Sequence, residues 1–270
     1  MFDTILIAKI LLSGGVVLGL SLLAERVGPR VAGVLSGAPL GAVLVYFFLG
    51  LETGTDLVIA SIPHAVAGLT GTLIFVYAYY HISRWPFRFG ILYSPILGLG
   101  VFFVVALLLN QIDFTIAPAL ALTSVAAIIA GFLFRARIDN IRISQHVRMT
   151  PWVIAFRVGL STVFVVSIIA LAKVMGPSWA GLLVGFPMTL LPLILIVHMT
   201  YSKEHAHAMI RHFPIGMVAL IIYLLTISYT FPAFGVVLGT IASLAAAFLY
   251  LTLLPFMWRA GGNIKSHVPE

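Results

Sequence analysis

Apolar residues run along this chain in blocks of about 20, the length a helix needs to cross a hydrocarbon core of about 30 Å. Nine blocks stand out, at 3–23, 29–50, 56–80, 90–110, 115–135, 152–174, 177–199, 208–229 and 232–256. Only Asn110 to Phe114 separates the fourth from the fifth. The first block resembles a signal peptide in position, but it is long and has no small-x-small cleavage pattern before Glu25 and Arg26, so it is read as a retained helix. The pattern predicts an all-α polytopic membrane protein with nine transmembrane helices.

Composition agrees with the block pattern. The 270 residues are 61% hydrophobic and 9% charged, with a mean hydropathy of +1.15, far outside soluble usage. Lys and Arg are retained on the cytoplasmic side of a membrane. Nine crossings with the N-terminus outside put Arg26, Arg30, Arg84, Arg88, Arg135, Arg137, Arg142, Arg148, Lys203, Arg211, Arg259 and Lys265 inside, and leave Lys9 and Lys173 near the outer face. The net charge of +7 is therefore a topology signal, and its spread over short loops excludes a nucleic-acid groove. With no cysteine, disulfides and thiolate chemistry are excluded as well.

One stretch breaks the apolar pattern twice. "GPRVAGVLSGAPLG" at 28–41 and "GPSWAGLLVGFPMT" at 176–189 share Gly-Pro, Ala-Gly, Gly and Pro at a constant offset of 148 residues. The same offset pairs Lys9 with Arg157, Ser13 with Ser161, Ala24 with Ala172, His64 with His212 and Gly68 with Gly216. This is read as a duplication. It divides the chain into a first repeat at 1–112, a linker helix with a basic cytoplasmic loop at 113–151, a second repeat at 152–258 and a tail at 259–270. Each repeat carries four helices. Five crossings separate their starts, so the second enters the membrane from the opposite side, the signature of many secondary transporters.

Spacing inside the motif suggests what it does. Pro29 and Pro177 suit the first turn of a helix, where a missing N–H costs nothing. Pro39 and Pro187 follow ten residues later, about 15 Å along a helix and half the hydrocarbon thickness. Two breaks entering from opposite faces are expected to meet near the bilayer centre, where freed backbone is tolerated only if protein or a polar cavity covers it. Gly33 to Gly37 and Gly181 to Gly185 are each GxxxG, which equally serves close helix packing. Ser36, Gly37, Pro39, Gly185 and Pro187 are the candidate substrate-binding positions at the break. The half-helix N-termini there would add positive dipole for an anion.

Ionisable groups inside spans are costly enough to be functional suspects. All eight carboxylates fall at loops or helix ends, which argues against a cation exchanger. Lys9 and Arg157 lie a short way into the first and sixth blocks, His64 and His212 into the third and eighth. Inversion puts Lys9 and His64 in the outer half, Arg157 and His212 in the inner half. They read either as a cationic pathway for an anion, with histidine able to couple proton movement, or as snorkelling cations and carbonyl-bonded neutral histidines.

Other chemistries find little support. His198, Glu204, His205, His207 and His212 form a dense cluster, but the equivalent loop of the first repeat lacks the histidines. An interfacial polar loop is the preferred reading over a metal site, and no cofactor is implied. There is no HExxH, no G-x-S-x-G and no pair of Asp within a span, so no enzyme is expected.

"AGVLSGAPLGAVLVYFFLGLETG" and "AGLLVGFPMTLLPLILIVHMTYSKE", each with a charged residue after the first helix, resemble the GlpM-like small bacterial inner-membrane proteins over about 60 residues per unit. That resemblance implies a bacterial-type cytoplasmic membrane. The second copy departs from it by placing Thr200 where the first has Glu52. The sequence therefore predicts two inverted four-helix repeats around a linker helix, in contact with the lipid bilayer. Such a protein would move a small organic anion or lipid-linked anion by alternating access, alone or as a homo-oligomer. The alternatives are an anion channel of the same build and a non-transporting scaffold of an envelope complex.

Overall fold

A computed structural model describes residues 37–85, 90–139 and 150–263, together with 7, 9, 11, 12, 14, 15 and 34. The described residues form helices and no strand: α1 (Leu40–Thr53), α2 (Thr55–Ser83), α3 (Gly90–Leu109), α4 (Ile116–Arg137), α5 (Pro151–Val184), α6 (Leu190–Thr200) and α7 (Lys203–Asn263). Five contain segments long and apolar enough to cross a membrane: Thr55–Ser83, Gly90–Leu109, Ile116–Arg137, Val158–Val184 and Lys203–Leu254. Their outward faces are apolar, with Val104 and Leu108 on α3, Ile128 and Phe132 on α4 and Leu238 and Ile241 on α7 all exposed. Such faces need hydrocarbon rather than water around them, as in a membrane protein.

The nine apolar blocks and the seven helices differ for local reasons. The first block lies almost wholly outside the described residues. The sixth and part of the seventh are carried by α5, and the eighth and ninth by α7, because Gly176 and Gly235 interrupt those helices without a loop. Gly176 has φ 83° and ψ 178°, a conformation that is open only to a residue without Cβ. The chain reverses there in one residue, and Pro177 follows with its φ already set for a new helix. Gly54, between α1 and α2, has the same conformation at φ 85°.

Helix α2 is the centre of the bundle. In its most apolar window 72% of residues are buried, against 17–28% in the other four, and it packs on α3, α4, α5 and α7. Helix α1 rests on α5 and α7, and α6 on α7 and α3. Large side chains fill the interior around α2, including Phe75, Tyr79, Phe102, Phe134 and Leu182, all fully buried. A small residue makes room for one of these rings: a Cβ on Gly98 would stand 3.0 Å from the Phe75 ring.

Candidate functional site

Both motif breaks are present as short non-helical turns, at 37–39 and 185–189. They are built alike. Leu40 N–H donates to Ala38 O at 2.8 Å and Met188 N–H to Phe186 O at 2.7 Å. Val43 N–H donates to Pro39 O at 2.7 Å and Leu191 N–H to Pro187 O at 2.8 Å. Each of these pairs is related by the 148-residue offset. The prolines do not bend a continuous helix, as a simple kink would. They end one segment and lead into the next: Pro39 directly precedes α1, and Pro187 stands three residues before α6. A residue without N–H is least costly where the helix begins.

The breaks adjoin one another. A small cavity of about 30 Å³ is lined by Ala38, Gly41 and Ala42 on one side and by Gly185, Pro187 and Met188 on the other. A Cβ on Gly41 would come within 2.5 Å of Met188 Cγ. Room for about one or two waters is no room for an organic anion. The start of α1 and the stretch leading into α6 therefore lie together around a small gap.

Each break is also clasped by a helix of the other half of the chain. A Cβ on Gly37 would stand 2.5 Å from Gly216 C, and one on Gly185 would stand 2.7 Å from Gly68 C. One residue further into the contact, a Cβ on Gly216 would strike the Val34 carbonyl, and one on Gly68 would lie 3.1 Å from Leu182 O. These are again offset partners: 37 with 185, 216 with 68, 34 with 182.

From the centre, a polar line runs along α2. Thr72 Oγ1 donates to Gly185 O. Tyr79 OH lies 2.7 Å from His198 Nδ1 on α6, and Ser83 Oγ 2.7 Å from His207 Nε2 on α7. Steps of seven and four residues keep the three on one helix face. The line ends at a polar cavity of about 390 Å³ whose walls include Tyr80, Arg84, Arg137, Lys203, Glu204 and His207. Tyr80 OH donates to Arg137 O at 2.7 Å and accepts from Arg84 Nη1 at 3.2 Å.

The opposite end of α2 is different. Glu52, at the end of α1, pairs with Lys9 at 2.5 Å and also with Lys173 of α5. Among the described residues these are the ion pairs within 4 Å. Lys9, buried, also lies over the Phe48 ring at 5.9 Å. Its ammonium is thus engaged by a carboxylate rather than held open for an anion. Burial pushes the Glu52 carboxyl up, yet hydrogen bonds and charge from Lys173 and Lys9 outweigh this and hold it below the usual carboxylate range.

The remaining sequence candidates fall in several places. His64, buried on α2, donates from Nε2 to Ile112 O at 3.1 Å and meets Phe114 edge-on. His212 donates from Nδ1 to Ala208 O, one turn back on its own helix, at 2.8 Å. Each therefore has a backbone carbonyl within hydrogen-bond reach. Gly185 and Pro187 line the central cavity with Ala38, which Gly37 and Pro39 flank in the chain; His64 lies beside Gly181, whose added Cβ would stand 2.8 Å from His64 Cβ. Ser36 lies outside the described residues, as does the side chain of Arg157.

The histidine cluster disperses: His198 goes to Tyr79, His207 to Ser83, and His205 to Ser202 at 2.9 Å. Among the described residues no three His, Asp or Glu converge as metal ligands. The sequence reading counted Arg84, Arg137 and Lys203 only as topogenic charges and gave Glu52 no partner. Their signal was there in part, since all three cations were assigned to the same membrane side. No family model, curated protein or solved structure matches the chain.

Proposed function

We propose that this protein is a secondary transporter or flippase for a small organic anion or a lipid-linked anion, built from two inverted four-helix repeats that rock around the paired breaks. The observation that carries this reading is the offset-matched clasp, Gly37 on Gly216 and Gly185 on Gly68. Two copies of one motif, each holding the other's third helix, are what an inverted duplication produces around a pseudo-two-fold axis. The matched hydrogen bonds of the two turns support it further.

In this reading α5 with α6, and α7 alone, each supply two crossings through Gly176 and Gly235, and nine spans result with the first block and the span ending in α1. The breaks lie near the bilayer midplane, where exposed backbone requires a covered or polar environment. The two ends of α2 are then the two faces of the membrane. Glu52 with Lys9 and Lys173 closes the outer face, while the cavity at Arg84, Arg137 and Lys203 opens to the cytoplasm. The centre, at about 30 Å³, is too small for the anion. Passage of an anion therefore needs the repeats to move apart, which distinguishes alternating access from a continuous pore. The membrane in this reading is a bacterial-type cytoplasmic one, as the resemblance of each unit to the GlpM-like proteins implies.

Proteoliposomes test the proposal. Uptake of organic acids or phosphate compounds that saturates with concentration is expected. Ion current without saturation would favour a channel of the same architecture, and silence in both assays would favour a scaffold.

A further inference from the structure

We infer that the polar cavity at the start of α7 is a binding station for a phosphate-type oxyanion, held by Arg84, Arg137 and Lys203. Three cations border one cavity of about 390 Å³. Among the described residues none has a carboxylate within 4 Å, although Asp139 and Glu204 border the same space. The Lys203 charge acts on Glu204, yet the cations bordering the space outnumber its two carboxylates, and a cleft with an excess of one sign of charge draws the opposite one.

The usual structural employment of such arginines is already taken by others. A cation near a helix C-terminus satisfies its last carbonyls. At the end of α4, Arg211 donates to Arg135 O at 3.1 Å and to Ile138 O, and Tyr80 donates to Arg137 O. The Arg137 guanidinium is thus not needed there, and one of its nitrogens donates instead to Tyr77 OH at 2.9 Å. The same nitrogen also lies 3.4 Å from His81 Nε2, which leaves the donors on the other guanidinium nitrogens for the cavity. Arg84 is held by Tyr80 through both hydroxyl and ring, with Nη1 donating to Tyr80 OH at 3.2 Å and the guanidinium 5.3 Å over the ring. Lys203 opens α7, so the first-turn N–H groups of that helix add to the positive end of the site.

A planar guanidinium pair and an ammonium around a solvent-open space suit the oxygens of a phosphate better than a single carboxylate. The cavity also stands at the end of the Thr72, Tyr79 and Ser83 line from the central break. As a station for the transported cargo the site rests on the transport reading; as a binding site it is tested without any transport.

Full-length protein in nonionic detergent is titrated calorimetrically with inorganic phosphate, and its melting is measured in phosphatidylcholine nanodiscs with and without phosphatidylglycerol. Phosphate is expected to bind, and Lys203→Gln to weaken it about tenfold, the effect of losing one charged contact. The melting temperature without ligand should stay unchanged. Arg84→Gln should weaken binding comparably, while Arg135→Gln, outside the cavity, leaves it intact. If the source is a lipid headgroup, free phosphate is silent and phosphatidylglycerol stabilises the wild type but not Lys203→Gln. No response to either probe, or a response that both cavity variants retain, overturns the site. Binding without uptake supports the site and counts against the transport reading.

Discussion

Gly37 packs so closely on Gly216 that a single methyl group at Gly37 would stand 2.5 Å from the Gly216 carbonyl carbon. Backbone touches backbone here, so neither side can yield by a rotamer change. The cost of any side chain falls on the helix positions themselves.

Gly185→Val and Gly216→Val are therefore expected to lower stability in detergent by about 1–3 kcal/mol each, the usual cost of overpacking. Gly100→Ala, on an exposed face of α3 with nothing within 4 Å of an added Cβ, should be neutral. Melting followed by size-exclusion fluorescence separates the two classes. Equal melting for Gly216→Val and Gly100→Ala would show that the clasp is absent.

Glu52 should give the protein a pH-dependent element of stability. Its carboxyl lies beyond the apolar run 29–50 and is held below the ordinary carboxylate range in the folded chain. The contribution is then fully present above the unfolded value and is lost as pH falls through the folded one. Glu52→Gln is expected to melt below the wild type at neutral pH, with the gap closing in acid. A gap that stays constant down to pH 3 would mean that Lys9 and Lys173 do not pair with the ionised form.

Tyr79 and His198 form a buried pair between α2 and α6. Tyr79→Phe leaves a buried ring nitrogen without that partner and should cost about 1–3 kcal/mol. Combined with His198→Phe, the two losses should fall short of their sum by about 0.5–3 kcal/mol. Thermal melts of the four proteins in the cycle give the coupling, and strict additivity would remove the contact.

How much of this was legible in the sequence varies with the range of the interaction. The turns at Pro39 and Pro187 could be placed because proline and glycine act locally, on their own φ and on their own N–H. That the two turns would adjoin was an expectation from their equal spacing combined with the inverted reading of the repeats. The interruption at Gly176 fell on a block boundary, whereas that at Gly235 lies inside the block 232–256, and neither was legible as a one-residue corner. Glu52 was the hardest to read. Its partners Lys9 and Lys173 are far away in the chain, and an acid at a helix end looks the same whether it faces water or two ammonium groups. Arg84, Arg137 and Lys203 fit the topology rule so well that their convergence on one cavity left no separate trace.

Single cysteines in the naturally cysteine-free chain measure the inverted arrangement most directly. Arg30→Cys and Ser178→Cys occupy the same place in the two motif copies, and an impermeant maleimide applied to intact cells and then to inverted vesicles reports the side of each. Labelling from opposite sides is required by two inverted repeats around paired breaks. Labelling of both from the same side would make the repeats parallel and contradict the rocking centre.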